Sequence, residues 1–404
     1  MCVSLLCGCG VHKVEREQEQ AVINYSWWGK DDHSERVIQG IKAFENTFTG
    51  ISVKPEYSEF DGFKSRMDSE FYSDTQADVM QLNFDWLYEY SPDGEQFYDL
   101  NELSEYIDLS NFSDFALELG TVNGKLNALP YSINAVTFVY NKTLYDRYGL
   151  ELPEAWEDLF AAAKVMKSDE VYPLALSEKN FWLCCCAYME QTTGHKVFDK
   201  DNKLALTKSD MEVMIDFYQR LINEKVSKLG SEFDRNDFED CITGGVAVWN
   251  SDAGYFSDAA EKYGFNIVVG DYPVEENYSS YGWYVKPTSL LAVKKTTKEP
   301  EAAAKLVNFM LNSSDMAALL GTTKGVPVSR SAAETLTARD MLTGIGYTST
   351  QKINDTPELE VMCPYLENAQ LISIFTDACE SVYYEKSRTP DAAQRALESM
   401  SELF

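Results

Sequence analysis

Four tryptophans, Trp28, Trp86, Trp249 and Trp283, stand at the ends of segments that read as strands or strand-to-helix junctions. Polar side chains accompany them: His33, Asp85, Asn134, Asn250 and Lys286. Flat rings stack on the apolar C–H faces of a polyhydroxylated ring at low conformational cost, while Asp, Asn, His and Lys bond its hydroxyls. Trp27, Tyr57, Tyr131 and Tyr284 occupy similar strand ends and join the candidates. Lys286 is the sharpest of them, because a lysine between Val285 and Pro287 is expensive in a strand unless it faces a cleft. Taken alone, each Trp would serve equally well in a core, and Asp85, Asn134 and Asn250 would serve as turn or cap residues. Four rings at such ends together favour a ligand-stacking site.

Other chemistry finds no constellation. The 65 acidic residues offer many carboxylate pairs at the roughly 5 to 9.5 Å that glycoside cleavage needs, yet no spacing singles one out. There is no Ser-His-Asp arrangement, phosphate loop or zinc motif. The three histidines, His12, His33 and His195, are not at chelating spacing, so no metal or cofactor is expected. Cys184, Cys185 and Cys186 lie in an apolar helical run, where neighbours point about 100° apart; buried free thiols are expected there. A net charge of −30 repels nucleic acid phosphates, so that partner is excluded.

These residues must be positioned by α/β units. Val22–Ser26 reads as a strand, and Val37, Ile38, Ile41, Phe44 and Phe48 fall on one helix face; Ile51–Tyr57 reads as a second strand. This is a βαβ unit that places Trp27 and Trp28 at one sheet edge. Ala77–Leu82 repeats the pattern, with Asp85 and Trp86 just past its end. The segment 124–156 reads as a crossing into a second lobe, 284–291 as the return and 325–329 as a third crossing. The expected division is 1–20 as leader and tether, 21–134 with 288–330 as lobe I, and 135–287 with 331–404 as lobe II. A final helix capped by Thr389 closes the chain.

At the amino end, Leu6-Cys7-Gly8-Cys9 fits a lipobox, with Cys9 as the lipid acceptor, although no Lys or Arg precedes the apolar run. Residues 11–20 are charged and aperiodic and read as a flexible tether.

Ser26-Trp27-Trp28-Gly29, Ala77-Asp78-Val79-Met80, Trp86-Leu87, Tyr140-Asn141-Lys142, Trp249-Asn250-Ser251, Val285-Lys286-Pro287 and Lys324-Gly325-Val326-Pro327 occur in this order over some three hundred residues. In that order the chain resembles the family 1 extracellular solute-binding proteins of carbohydrate importers of the ATP-binding cassette class. The closest similarity is to the branch associated with plant oligosaccharides. The resemblance implies a two-lobed periplasmic-binding-protein-like α/β fold of type II, with mixed sheets and a hinge of three segments. It also implies a monomeric, non-enzymatic receptor, lipid-anchored outside a Gram-positive cell, that delivers an oligosaccharide to membrane permease subunits. An extracellular glycosidase and a glycan-adhesion lipoprotein are the alternatives. Asp32 stands where the branch has an Arg beside the His; with the charge of −30, this inclines the reading toward a neutral ligand.

Overall fold

A computed structural model describes residues 20–29, 31–60 and 62–404, so Cys9 and nearly all of the tether lie outside the described residues. In chain order the strands are β1 (Ala21–Trp28), β2 (Ile51–Ser58), β3 (Val79–Leu82), β4 (Thr121–Val122), β5 (Lys125–Leu126), β6 (Ala128–Pro130), β7 (Ile133–Asn141), β8 (Gly245–Trp249), β9 (Ile267–Val269), β10 (Tyr284–Pro287), β11 (Leu290–Val293) and β12 (Glu360–Val361). They build two principal sheets, one in each lobe.

The first sheet has the order β2-β1-β3-β11-β6. β1 lies parallel to β2 and β3, the outcome expected of right-handed crossovers through the helices Asp31–Thr47 and Phe63–Tyr72. β11 returns from the second lobe and inserts antiparallel between β3 and β6, the type II arrangement. The core beneath this sheet gathers Ile23, Tyr25, Val37, Ile41 and Phe44 with Leu306, Val307 and Met310 of the helix Pro300–Asn312.

The second sheet has the order β12-β10-β7-β8, with β9 paired to the far end of β7. All nine residues of β7 are buried, the polar Asn134, Thr137 and Asn141 included. Around it pack the helices Trp156–Met166, Glu178–Thr193, Lys208–Asn223 and Ala369–Tyr383. Cys184, Cys185, Cys186 and Cys379 are free thiols in that core.

Three segments meet between the lobes. The Ser132 and Thr288 hydroxyls are 2.8 Å apart, and both reach the Lys324 carbonyl. The Thr288 amide donates to the Ser132 carbonyl at 2.9 Å, and the Val328 amide to the Tyr131 carbonyl at 3.1 Å. Two expectations shift here. The chain does not leave lobe I at 330: the helix Arg330–Ala338 packs on the helices Pro300–Asn312 and Ser314–Leu320, and Ala332 and Leu336 bury against Ala317. The passage falls after residue 338, and Gly344–Asn354 joins the second sheet. Thr389 opens the last helix but does not cap it; its hydroxyl donates to Asp216 at 2.9 Å. No helix among the described residues is long and apolar enough to cross a membrane.

Candidate ligand-binding cleft

Trp28 ends β1, and Trp86 lies in the first turn of the helix Phe84–Tyr90 that follows β3. Both therefore sit at the carboxyl ends of parallel strands, where ligands of open α/β sheets bind. Their ring centroids are 5.3 Å apart at 62°, and Phe63 and Phe60 meet the Trp28 edge at 5.4 and 5.7 Å. Trp28 is half-buried and Phe60 is exposed, so this wall keeps accessible aromatic surface.

The facing wall belongs to lobe II. Trp249 ends β8, and the Lys286 ammonium lies 4.5 Å from the centre of its ring, a cation–π distance. Lys286 also pairs with the buried Glu367, which takes a second ammonium, Lys179, at 3.0 Å. Burial alone would raise the Glu367 carboxyl, but the two ammonium groups, Lys286 first, hold it below the usual carboxylate range. The two walls are coupled at Asp85. Burial pushes its carboxyl up; Lys286 opposes this shift, and Glu367 adds to it. The helix Phe84–Tyr90 packs directly on the turn Pro364–Glu367, so the lobes touch at this point.

A third group lies behind Trp28. The half-buried Lys324 ammonium donates to the Trp28 carbonyl at 3.3 Å and sits 5.3 Å from that ring. Among the described residues no carboxylate lies within ion-pair distance of it, and burial lowers its pKa to about 7. Its neighbour His33 is buried, with no partner for Nδ1 among the described residues; burial and then the Lys324 charge bring the imidazole down to about 3, so it is neutral. The ring fits only because residue 29 is Gly: a Cβ there would stand 2.3 Å from His33 Cδ2.

The structure thus brings together Trp28, His33, Asp85, Trp86, Trp249 and Lys286. Asn134 lies near them, its side chain exchanging bonds of 3.1 and 3.2 Å with Ser251, the second residue past Trp249. Other candidates fall elsewhere. Trp27 is fully buried, tilted on Tyr25 at 4.8 Å and stacked on Tyr57 at 4.9 Å, because successive strand residues point to opposite faces and only one of the pair can meet the cleft. Tyr57 shares the Trp27 face. Tyr131 is buried with its hydroxyl 3.0 Å from that of Tyr25. Trp283 is core: its indole N–H donates to the Pro273 carbonyl at 3.0 Å, and Phe138, Trp156 and Tyr272 surround it. Asn250 is buried and bonded to Thr350 at 3.0 Å and to Ser349, tying β8 to the helix Gly344–Asn354. Tyr284 donates to the buried Glu190 at 2.5 to 2.6 Å. Sequence reasoning missed Phe60, Lys324 and Glu367 as site residues. Lys324 opens the segment Lys324-Gly325-Val326-Pro327, whereas nothing near Glu367 announces it.

The family model for bacterial extracellular solute-binding proteins matches residues 30–317. YcjN of Escherichia coli K12, named an ABC transporter periplasmic-binding protein, is 23% identical over 378 residues, covering 89% of this chain and 86% of its own length. The solved periplasmic solute binding protein ECA2210 of Pectobacterium atrosepticum is 27% identical with a TM-score of 0.87, over 95% of this chain and 98% of that one. A periplasmic oligogalacturonide binding protein of Yersinia enterocolitica, solved with saturated digalacturonic acid, is 29% identical with a TM-score of 0.83 over the same shares. The sheet order, the three-segment hinge and these matches agree, and the chain belongs to the bacterial extracellular solute-binding protein family.

Proposed function

We propose that this protein is a receptor that binds a carbohydrate between its lobes and presents it to the permease subunits of an ABC importer. The observation that carries the reading is the pair of facing walls, Trp28–Trp86 on lobe I and Trp249–Lys286 on lobe II, with Asp85 between them. Closure about the Ser132–Thr288–Lys324 junction would bring aromatic faces and hydrogen-bonding groups onto one ligand. The ligand bound by the Yersinia relative supports a plant oligosaccharide.

Lys324 moves the expected ligand class. Lys286 is already matched by Glu367, but Lys324 is a half-buried ammonium with no carboxylate among the described residues. A cation beside Trp28 that meets no carboxylate among the described residues supports a ligand that carries a carboxylate, in place of the neutral one that Asp32 suggested. The receptor works as a monomer, held outside a Gram-positive cell by lipid on Cys9. Labelled palmitate should mark the natural full-length protein but not its Cys9→Ala form.

The reading is tested by binding without turnover. A thermal-shift screen of plant and host oligosaccharides should yield a ligand that stabilises the fold by about 2.7 kcal/mol at 100 times its Kd. Mass spectrometry after a day's incubation should then recover that ligand intact; cleaved sugar would make the protein an enzyme. An unchanged radius of gyration on binding would favour an adhesin.

A further inference from the structure

A second cavity, of about 480 Å³, opens between the lobes beside the contact of Phe84–Tyr90 with Pro364–Glu367. Lobe I contributes Tyr88 and Glu118, and lobe II contributes Glu190, Lys196, Tyr284 and Glu360. Its floor is a fixed polar network. The buried Glu190 accepts from the Tyr284 hydroxyl and lies 3.0 Å from the Lys196 ammonium, which reaches Glu360 at 3.0 Å and the Ser280 hydroxyl at 2.9 Å. Its lobe I side presents the half-buried ring of Tyr88.

The cavity continues the cleft described above. Tyr284 and Lys286 are two residues apart on β10, so they share a face of the strand about 6.8 Å apart. Lys286 belongs to the Trp249 wall and Tyr284 to the cavity floor. The turn that ends at Glu367 likewise lends Pro364 and Leu366 to the cavity. A chain of sugar units lying along β10 would pass from one to the other.

Resting on the carbohydrate-receptor reading, we infer that this cavity is an extension of the binding site that takes the further units of an oligosaccharide, and takes them uncharged. An aromatic face beside hydroxyl, ammonium and carboxylate groups is the mixture that a hydroxyl-rich ring requires. The charge sets the selectivity. The lining carries the carboxylates of Glu118, Glu190, Asp199 and Glu360 against the ammonium groups of Lys196 and Lys200, and Lys196 is already shared by two of the carboxylates. A uronate in this cavity would enter uncompensated negative charge, whereas a neutral ring would not.

Native mass spectrometry of the protein mixed with partial hydrolysates of pectin, glucuronoxylan and xyloglucan reads both properties from the mass of what is retained. The wild type should hold oligomers of two or more units with fewer uronic acids than units. Tyr88→Ala should shift the retained set to shorter oligomers and weaken the longer ones roughly tenfold. Tyr88→Phe, which keeps the ring, should not. Glu118→Lys, at an exposed rim position, should admit trigalacturonate. Unchanged lengths in Tyr88→Ala, or wild-type preference for fully acidic oligomers, would overturn the extension and leave the receptor standing. Retention of no sugar from any hydrolysate would overturn the receptor reading, and the extension with it.

Discussion

Lys286 and Glu367 form a buried ion pair that fastens β10 to the turn at 364–367, the turn on which the first lobe rests. Both side chains are about nine-tenths buried, so each needs the other. Glu367→Gln should destabilise the protein by about 3 to 5 kcal/mol in urea titrations, because it strands the Lys286 charge. Lys286→Met combined with Glu367→Leu should recover most of that loss. A single variant as stable as the wild type would mean that the pair is not formed.

The Trp249 indole N–H is buried and finds no acceptor among the described residues. A donor left unpaired in a binding cleft is one that a ligand oxygen would satisfy. Trp249→Phe keeps a ring for stacking and removes only that donor. Calorimetry should show affinity for the best thermal-shift ligand falling about tenfold, with little change in stability.

The first wall behaves differently from the second. Trp86 is only 4% exposed and packs with Trp28, Phe60 and Phe63. Trp86→Ala should therefore lower stability by about 3 to 5 kcal/mol as well as weaken binding. Thermal unfolding of the free protein separates the two effects. An unaltered melting temperature would contradict the packing.

Lys324 gives binding a pH dependence. With its folded pKa lowered to about 7 from an ordinary value of 10.5, the unfolded chain binds more protons between those values. The lysine's contribution to stability therefore rises with pH across that window and is least favourable below pH 7. A bound carboxylate favours the charged form, so binding takes up a proton. Affinity for an oligosaccharide carrying a single uronic acid should fall as pH rises from 6 to 9, and Lys324→Met should flatten the profile. A flat wild-type profile would separate Lys324 from the ligand.

Gly325 holds φ at +88°, and a Cβ there would stand 2.5 Å from the Ser132 hydroxyl oxygen at the junction of the connecting segments. Gly325→Ala should destabilise by about 1 to 3 kcal/mol, since the left-handed backbone and the close approach both act against it. It should also shift the change in radius of gyration that X-ray scattering reads on ligand binding.

Local pattern made much of this protein legible in one dimension. The βαβ start, the strand Val79–Leu82 within the expected 77–82 and the helical cysteine run follow from the spacing of apolar residues, which depends only on how side chains alternate along a strand or round a helix. The aromatic residues at strand ends followed too, because the carboxyl edge of a parallel sheet is set by connectivity. Which of two adjacent tryptophans meets the cleft is a matter of strand phase, and the buried face of β1 took Trp27 while Trp28 met the cleft. The fate of Trp283 depended on the helix Trp156–Met166 arriving beside it from more than a hundred residues away. Glu367 and Lys324 acquired their meaning only when the chain crossed the hinge and set them against Lys286 and Trp28. Charge compensation is a property of neighbours in space, and for these two residues the neighbours are distant in the chain.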